Sequence, residues 1–418
     1  MNYLIKCGDP MKNKIIKTAL LSAIFATSFV SAEEIAPEAG AELMIWTDAP
    51  TIDYMEYASK EFNKVHGYKV KFKFRGLSPM DTAGRLIQDG GTTRVADVAE
   101  VEHDTLGGLV VSGGVMENLV NTDRINNEFL PSAQVAAFSQ GLTYGFPVGI
   151  ATTAFFYNKD LMPEAPTTFE EVMKFGETFN DKQQNKYAFV WDIQNYYESR
   201  MFLAMFGGYE FGKNGTDAKD IGIATPEAQK GLAALKDVQR AQGFNPFDMR
   251  NPQVRRGLFT EGKVAAIVDG PWAIEQHKAN GINLGVIPMP TYKGEQPRTF
   301  STVRLAVVSA YTEYPMAAQL FAEYLTSEKM LKARFEMTQL IPPVQSVLDE
   351  VSISASDEHK AIIKQATFAD AMPSIPEMGF IWSPMASAIT ALVVNDQTPE
   401  AVTNQALSII KEQIDLQE

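Results

Sequence analysis

The sequence predicts an α/β protein of two lobes whose backbone passes between them more than once. Three observations lead there: short apolar runs alternate with stretches of helical periodicity, no long Pro-, Gly- or Ser-rich linker divides the chain, and 418 residues exceed what one hydrophobic core usually serves.

The first element is set apart from the fold. Lys12, Lys14 and Lys17 precede an apolar run from Thr18 to Val30, shorter than the roughly 20 residues a membrane span needs. Small residues Ser31 and Ala32 then suit cleavage before Glu33, so residues 1–32 read as a signal peptide. The basic stretch opens only after Met11, which makes residues 1–10 an upstream extension and Met11 a candidate start beside Met1. The single cysteine, Cys7, lies ahead of the apolar run, so the exported chain is expected to carry neither a lipid-anchored cysteine nor a disulfide.

Beyond the leader, Leu43 to Trp46 reads as a strand and is followed by a helix with Tyr54, Ala58, Phe62 and Val65 on one face. Lys69 to Arg75 alternates, with Val70, Phe72 and Phe74 on one side and lysines on the other, as a half-wet strand should. Further strands are predicted at 95–101, 153–157, 264–268, 284–287 and 305–308, with another ending near Trp191. Thr168-x-x-Glu171 is a capping box, and Thr225 before Pro226 marks a second helix start. The last helix, 399–414, places Val402, Ala406, Ile409 and Ile410 on one stripe that docks on a core.

Losing residues 1–32 removes four basic side chains and one acidic, which moves the formal charge from −14 to −17. That sign opposes nucleic acid and anionic lipid and favours neutral or cationic ligands. Gly257 to Val264 nearly spells a phosphate loop, but Val264 cannot supply the magnesium-binding hydroxyl and a strand follows the glycines where one should precede them. His66, His103, His277 and His359 are scattered without zinc-helix spacing, and no Gly-x-Ser-x-Gly elbow or usable thiol is present. No metal, cofactor or catalytic residue is therefore expected, although abundant carboxylates leave a glycosidase as an alternative.

Aromatic residues at loop-to-helix junctions carry the positive signal. Trp272 follows a predicted strand in Asp269-Gly270-Pro271-Trp272, where an α/β sheet presents ligand groups. Trp382 ends the proline-stiffened loop from Met372, and Tyr196 and Tyr197 open another helix. Pyranose rings present apolar C–H faces and hydroxyl rims, so a sugar site needs aromatic planes together with polar partners. Asp48 and Asp104, just past predicted strands, are such partners; each is equally readable as a helix N-cap.

At these residues the chain resembles the periplasmic maltose/maltodextrin-binding proteins, within the extracellular sugar-binding proteins of ABC importers. The resemblance runs almost the whole mature length. It is carried by Tyr157-Asn-Lys-Asp-Leu161, by Phe259 through Trp272, by Gly285-Val286, by Pro290 to Gly294 and by Met372-Pro-Ser-Ile-Pro376 leading to Trp382. It implies a type II periplasmic binding-protein fold with mixed sheets and three hinge crossings, near 150–153, 301–304 and 353–357. Lobe 1 would comprise 41–150 with 305–352, and lobe 2 would comprise 154–300 with 358–418.

The same resemblance implies sugar stacking on Tyr197, Trp272 and Trp382 and hydroxyl bonding by Asp48 and Asp104. Val101 and Thr105 stand where the pattern has a tryptophan and an arginine. Asn195 and Ala151 replace glutamates, Ser383 and Ala386 replace a tyrosine and an arginine, and Arg304 is an added charge. Lost polar contacts of about 1 kcal/mol each change which sugar is preferred. The implied ligand is thus a maltodextrin-like oligosaccharide or glucoside, with a glycerophosphate-type metabolite as the alternative suggested by Arg304 and Arg75. Implied partners are the importer's permease subunits, with a chemoreceptor as a further candidate. The protein is expected to be a periplasmic monomer.

Overall fold

The computed structural model describes residues 35–416, so the expected signal peptide with Cys7 lies outside the described residues. The first three major strands are β1 (Glu42–Thr47), β2 (Lys71–Gly76) and β3 (Val98–Glu102). β1 lies between β2 and β3, parallel to both, so the carboxyl ends of all three point to one edge. β2 is the outer strand, and its exposed Lys71 and Lys73 protect that edge from further pairing.

Next come β4 (Gly145–Thr152), β5 (Ala154–Asn158), β6 (Ala266–Asp269), β7 (Leu284–Ile287), β8 (Thr299–Val308) and β9 (Ala369–Ala371). β8 runs antiparallel to β3 and β4 and parallel to β9, completing a six-stranded mixed sheet. β5 is the centre of a second, three-stranded sheet and is antiparallel to both β6 and β7. The chain leaves the first sheet at Thr152 and enters the second at Ala154, so two sheets of one continuous chain frame a two-lobed, mixed α/β fold. From Ala36 onward it forms one compact unit.

The segments expected to be crossings lie side by side. Thr152, Ala151 and Ile150 pair with Ser301, Thr302 and Val303, and the Thr152 hydroxyl reaches Thr299 Oγ1 at 2.7 Å and the Phe300 carbonyl at 2.8 Å. β4 was not predicted, because Gly145, Pro147 and Gly149 interrupt its pattern. It tolerates proline because β8 is the only strand it pairs with, apart from an isolated bridge of Ile150 to Ile341, and Val148 is the extra residue of a bulge opposite Arg304 and Leu305. A side chain at Gly149 would meet Leu340 Cβ at 2.8 Å, which explains the glycine. The third expected crossing falls between helices Gln345–Ser354 and Asp357–Ala366, where the Ser356 side chain caps the second.

Most other expectations agree with the structure. The capping box of Thr168 and Glu171 is formed, and Thr225 accepts from the Ala228 amide. Three need correction. Val65, in the last turn of its helix, is exposed, and Met55 joins Tyr54, Ala58 and Phe62 in the core. Ile409 is 37% exposed, because the buried stripe advances in steps of four from Val402 through Ala406 and Ile410 to Ile414. The segment before Trp191 forms only isolated bridges, from Tyr187 to Val264 and Val190 to Ile267, as a fringe to β6.

Candidate functional site

The first wall of the site is the carboxyl edge of β1 and β3. Asp48 follows the last residue of β1, Glu102 ends β3, and antiparallel β8 sets Arg304 directly opposite Glu102. Arg304 Nη2 donates to Glu102 Oε1 at 2.9 Å, while its Nη1 lies 3.6 Å from Asp48 Oδ2 and 3.7 Å from Glu100 Oε2. In both Asp48 and Glu102 one carboxylate oxygen is thereby engaged by Arg304. The other oxygen, Oδ1 of Asp48 and Oε2 of Glu102, is buried without a hydrogen-bond partner. Asp48 holds the N-cap position of the short turn Ala49–Thr51 but makes no capping bond, so its free oxygen serves no local purpose.

Asp104 sits in the turn after β3. Burial, with the Glu102 charge beside it, pushes its carboxyl up to about 7. A carboxyl titrating there donates as well as accepts hydrogen bonds near neutrality.

The second wall is aromatic. Helix Tyr196–Met205 begins where the Asn195 side chain accepts from the Tyr197 amide at 3.0 Å. The Tyr197 ring stacks on Phe300 of β8, with centroids 6.1 Å apart and planes 24° apart. Trp382, the first residue of helix Trp382–Val393, meets the same Phe300 edge-on at 6.0 Å and Tyr196 at 6.2 Å. Burial, then the nearby charge of Glu102, push the ionisation of the Tyr197 hydroxyl far up, against the opposing effect of the Thr302 hydroxyl.

The structure thus brings Asp48 and Arg304 together beside Glu102, sets Asp104 in the turn that follows β3, and joins Tyr197 to Trp382 through Phe300 of β8, the strand that also carries Arg304. Asn195 is exposed beside them, its side-chain oxygen engaged in capping. Trp272 is separate from this cluster. It is 50% exposed in the turn Pro271–Ala273 after β6, and its ring folds over Gly270, where a Cβ would lie 2.3 Å from it. Pairing of Asp269 with Ala154 nevertheless keeps that turn at the sheet end nearest the crossing.

Several contributors were not legible in the sequence. Glu100, fully buried, accepts from Thr47 Oγ1 at 2.6 Å and lies 2.6 Å from Arg334, whose guanidinium also sits 5.0 Å over the Tyr54 ring. Burial opposes its ionisation, but Arg334 and Arg304 hold Glu100 below the usual carboxylate range. Asp269 accepts two 2.8 Å bonds from Arg256 and a contact at 3.0 Å from His277, which anchors the base of the Trp272 turn. His103 is structural, its Nε2 2.9 Å from the Met372 carbonyl and its Nδ1 accepting from Val303. Only the alternation of Glu100 and Glu102 with valines hinted at any of this, and it reads equally as a wet strand face.

The Asp104 shift has a testable sign. Glu198, buried against Arg255 at 2.8 Å, is also pushed up to about 7 by burial. Unfolded carboxyls release their protons near pH 4. Between about pH 4 and 7 the folded state therefore holds protons that the unfolded state has lost, and these groups' contribution to stability falls as pH rises through that window. Asp104→Asn is expected to raise the melting temperature relative to the parent at pH 8 and to leave it unchanged at pH 4. Equal shifts at both pH values would contradict the burial of this carboxyl.

Residues 58–361 match the family described as bacterial extracellular solute-binding protein. The galactooligosaccharide-binding protein of Bacillus subtilis (strain 168) is 32% identical over 384 residues, covering 90% of each chain. A maltooligosaccharide ABC transporter solute-binding lipoprotein of Streptococcus pneumoniae (strain ATCC BAA-255 / R6) is 29% identical over 383 residues, 89% of each. Among solved structures, a cyclo/maltodextrin-binding protein complexed with maltotetraose superimposes with a TM-score of 0.79 at 32% identity, covering 90% of this chain and 98% of that one.

Proposed function

The chain belongs to the bacterial extracellular solute-binding protein family, and from that premise we propose that it captures a neutral hexose oligosaccharide for an ABC importer. The observation that carries this reading is the pair of unpartnered buried carboxylate oxygens, Asp48 Oδ1 and Glu102 Oε2, together with an aromatic wall of Tyr197 and Trp382 on Phe300. Leaving such groups unpaired costs free energy that a hydroxyl-rich ring would recover. Maltodextrin-like and galactose-based oligosaccharides are the leading ligands, since similar proteins carry names for both.

The lobe boundaries follow the paired crossings: 41–150 with 305–352 against 154–300 with 358–418. Tyr197, Trp382 and, at the rim, Trp272 supply ring stacking. Asp48 and Asp104 bond hydroxyls, with Asn195 at the edge, and Arg304 holds the carboxylates in place. Ligand shifts the hinge towards closure to the extent that it touches both walls only when they are closed. The closed pair of lobes would then dock on permease subunits, with a chemoreceptor as a second candidate partner and a periplasmic monomer as the working form. Among the described residues no helix is long and apolar enough to cross a membrane.

A phosphorylated metabolite fits poorly. Arg304 is compensated by Asp48, Glu100 and Glu102, and Arg75 lies over the Trp46 ring 5.1 Å from its centroid. A phosphate would thus meet excess negative charge. Intrinsic fluorescence titrated with maltose, maltotriose, a galactose trisaccharide and glycerol phosphate is expected to respond saturably to an oligosaccharide and not to glycerol phosphate. Release of glucose from maltotriose by the purified protein would instead establish a glycosidase.

A further inference from the structure

Phe300, the ring shared by Tyr197 and Trp382, also carries a buried cation. Arg200 stands one turn after Tyr197 on helix Tyr196–Met205 and is 3% exposed. Its guanidinium carbon lies 4.6 Å from the Phe300 ring centroid. Its Nε and Nη2 donate to the two carboxylate oxygens of Glu210 at 3.1 and 3.2 Å. Its Nη1 donates to Asp370 Oδ2 at 2.5 Å and to the Arg298 carbonyl at 3.2 Å.

Each partner belongs to a segment that bears on the aromatic wall. Glu210 also accepts from the Tyr196 hydroxyl at 2.6 Å, and the Tyr196 ring meets both Phe300 and Trp382 edge-on. Asp370 is the register partner of Phe300 in the pairing of β8 with β9, and it accepts two further bonds from Arg298, which directly precedes β8. Burial opposes the charge of Arg200, but the carboxylates of Glu210 and Asp370 outweigh it and hold the guanidinium charged. Burying an arginine against carboxylates gains little stability over well-packed apolar side chains of similar volume. What it adds is direction, because the planar fork bonds both oxygens of one carboxylate and fixes its own plane over the ring.

We propose that Arg200 is a positioning residue for ligand capture: acting through Phe300, it sets the orientation of the Tyr197 and Trp382 rings and ties them to β8 and β9 at the crossing. The inference rests on the oligosaccharide reading of the aromatic wall and adds a residue that acts on the ligand only through another side chain. Lysine at this position keeps a positive charge beside Glu210 and Asp370, but it can neither fork onto a carboxylate nor lie flat on the Phe300 ring.

The test is a double-mutant cycle of Arg200→Lys and Phe300→Leu in the full mature chain, read by calorimetric titration with maltotetraose and with a galactose-based tetrasaccharide. Arg200→Lys is expected to bind the tighter probe about tenfold more weakly than the parent, while the double variant binds within about threefold of Phe300→Leu, since the arginine then has no ring to position. The near-ultraviolet circular dichroism of the unliganded chain is expected to change with Arg200→Lys in the parent and to stay constant with the same substitution beside Phe300→Leu. Affinity and spectrum unchanged by Arg200→Lys, or affinity lost by the same factor with and without Phe300, would mark a merely structural arginine and overturn the inference, while binding by the parent leaves the main-site reading intact. Should Arg200→Lys not fold, Asp370→Asn, which loosens the guanidinium at Nη1, takes its place in the cycle under the same criteria. A parent that binds neither probe overturns both the inference and the reading it rests on.

Discussion

Replacing Arg334 with alanine is expected to destabilise the protein by about 3–5 kcal/mol, the range for removing one partner of a buried ion pair. Arg334 and Glu100 are 1% and 0% exposed, and their closest atoms are 2.6 Å apart. Without the guanidinium, Glu100 keeps the Thr47 hydroxyl at 2.6 Å and the more distant Arg304 at 3.7 Å, which does not replace a direct cationic partner. Tyr54 would also lose the cation over its ring. The loss should therefore exceed that of a simple cavity in the same helix. A companion double variant, Arg334→Met with Glu100→Leu, removes both charges and is expected to recover most of it. Urea unfolding measures both; a single-variant loss below about 1 kcal/mol would show that the pair carries no structural weight.

The same network marks the boundary between what the sequence made legible and what it did not. Strands β3, β5 and β6 and the helix start at Thr168 could be read directly, because apolar runs and a capping pair are local signals. Asp48 and Asp104 could be named from their places after strands, and Tyr197 and Trp382 from helix junctions. Their assembly could not, since it depends on which strands lie side by side. Antiparallel β8 brings Arg304 to Glu102 across 202 residues of chain, and no local pattern encodes that distance. Phe300, the ring that joins Tyr197 to Trp382, reads as one more core phenylalanine. β4 escaped for the opposite reason: its glycines and proline are permitted only because it lies at an edge beside a bulge. Trp272 was located correctly at the end of its strand, yet its half-exposed ring stands apart from the others.

The second large effect concerns the two walls. Trp382→Ala removes an aromatic plane supported on Phe300 and Tyr196, and Asp48→Ala removes the carboxylate whose second oxygen is free beside Arg304. A hydrogen bond to a charged group is worth about 1.5–3 kcal/mol, and burying an aromatic face about as much, so the loss of Asp48 or of the Trp382 plane should each weaken oligosaccharide binding by roughly 10- to 100-fold. Loss of the whole carboxylate also leaves Arg304 with Glu100 and Glu102 alone, which keeps its charge compensated and the fold intact. The decisive measurement is calorimetric titration of the parent, Trp382→Ala and Asp48→Ala with the tightest-binding tetrasaccharide. One-to-one binding by the parent, weakened at least tenfold by either substitution, is the predicted outcome; a variant of either wall that binds as tightly as the parent would contradict capture between the two.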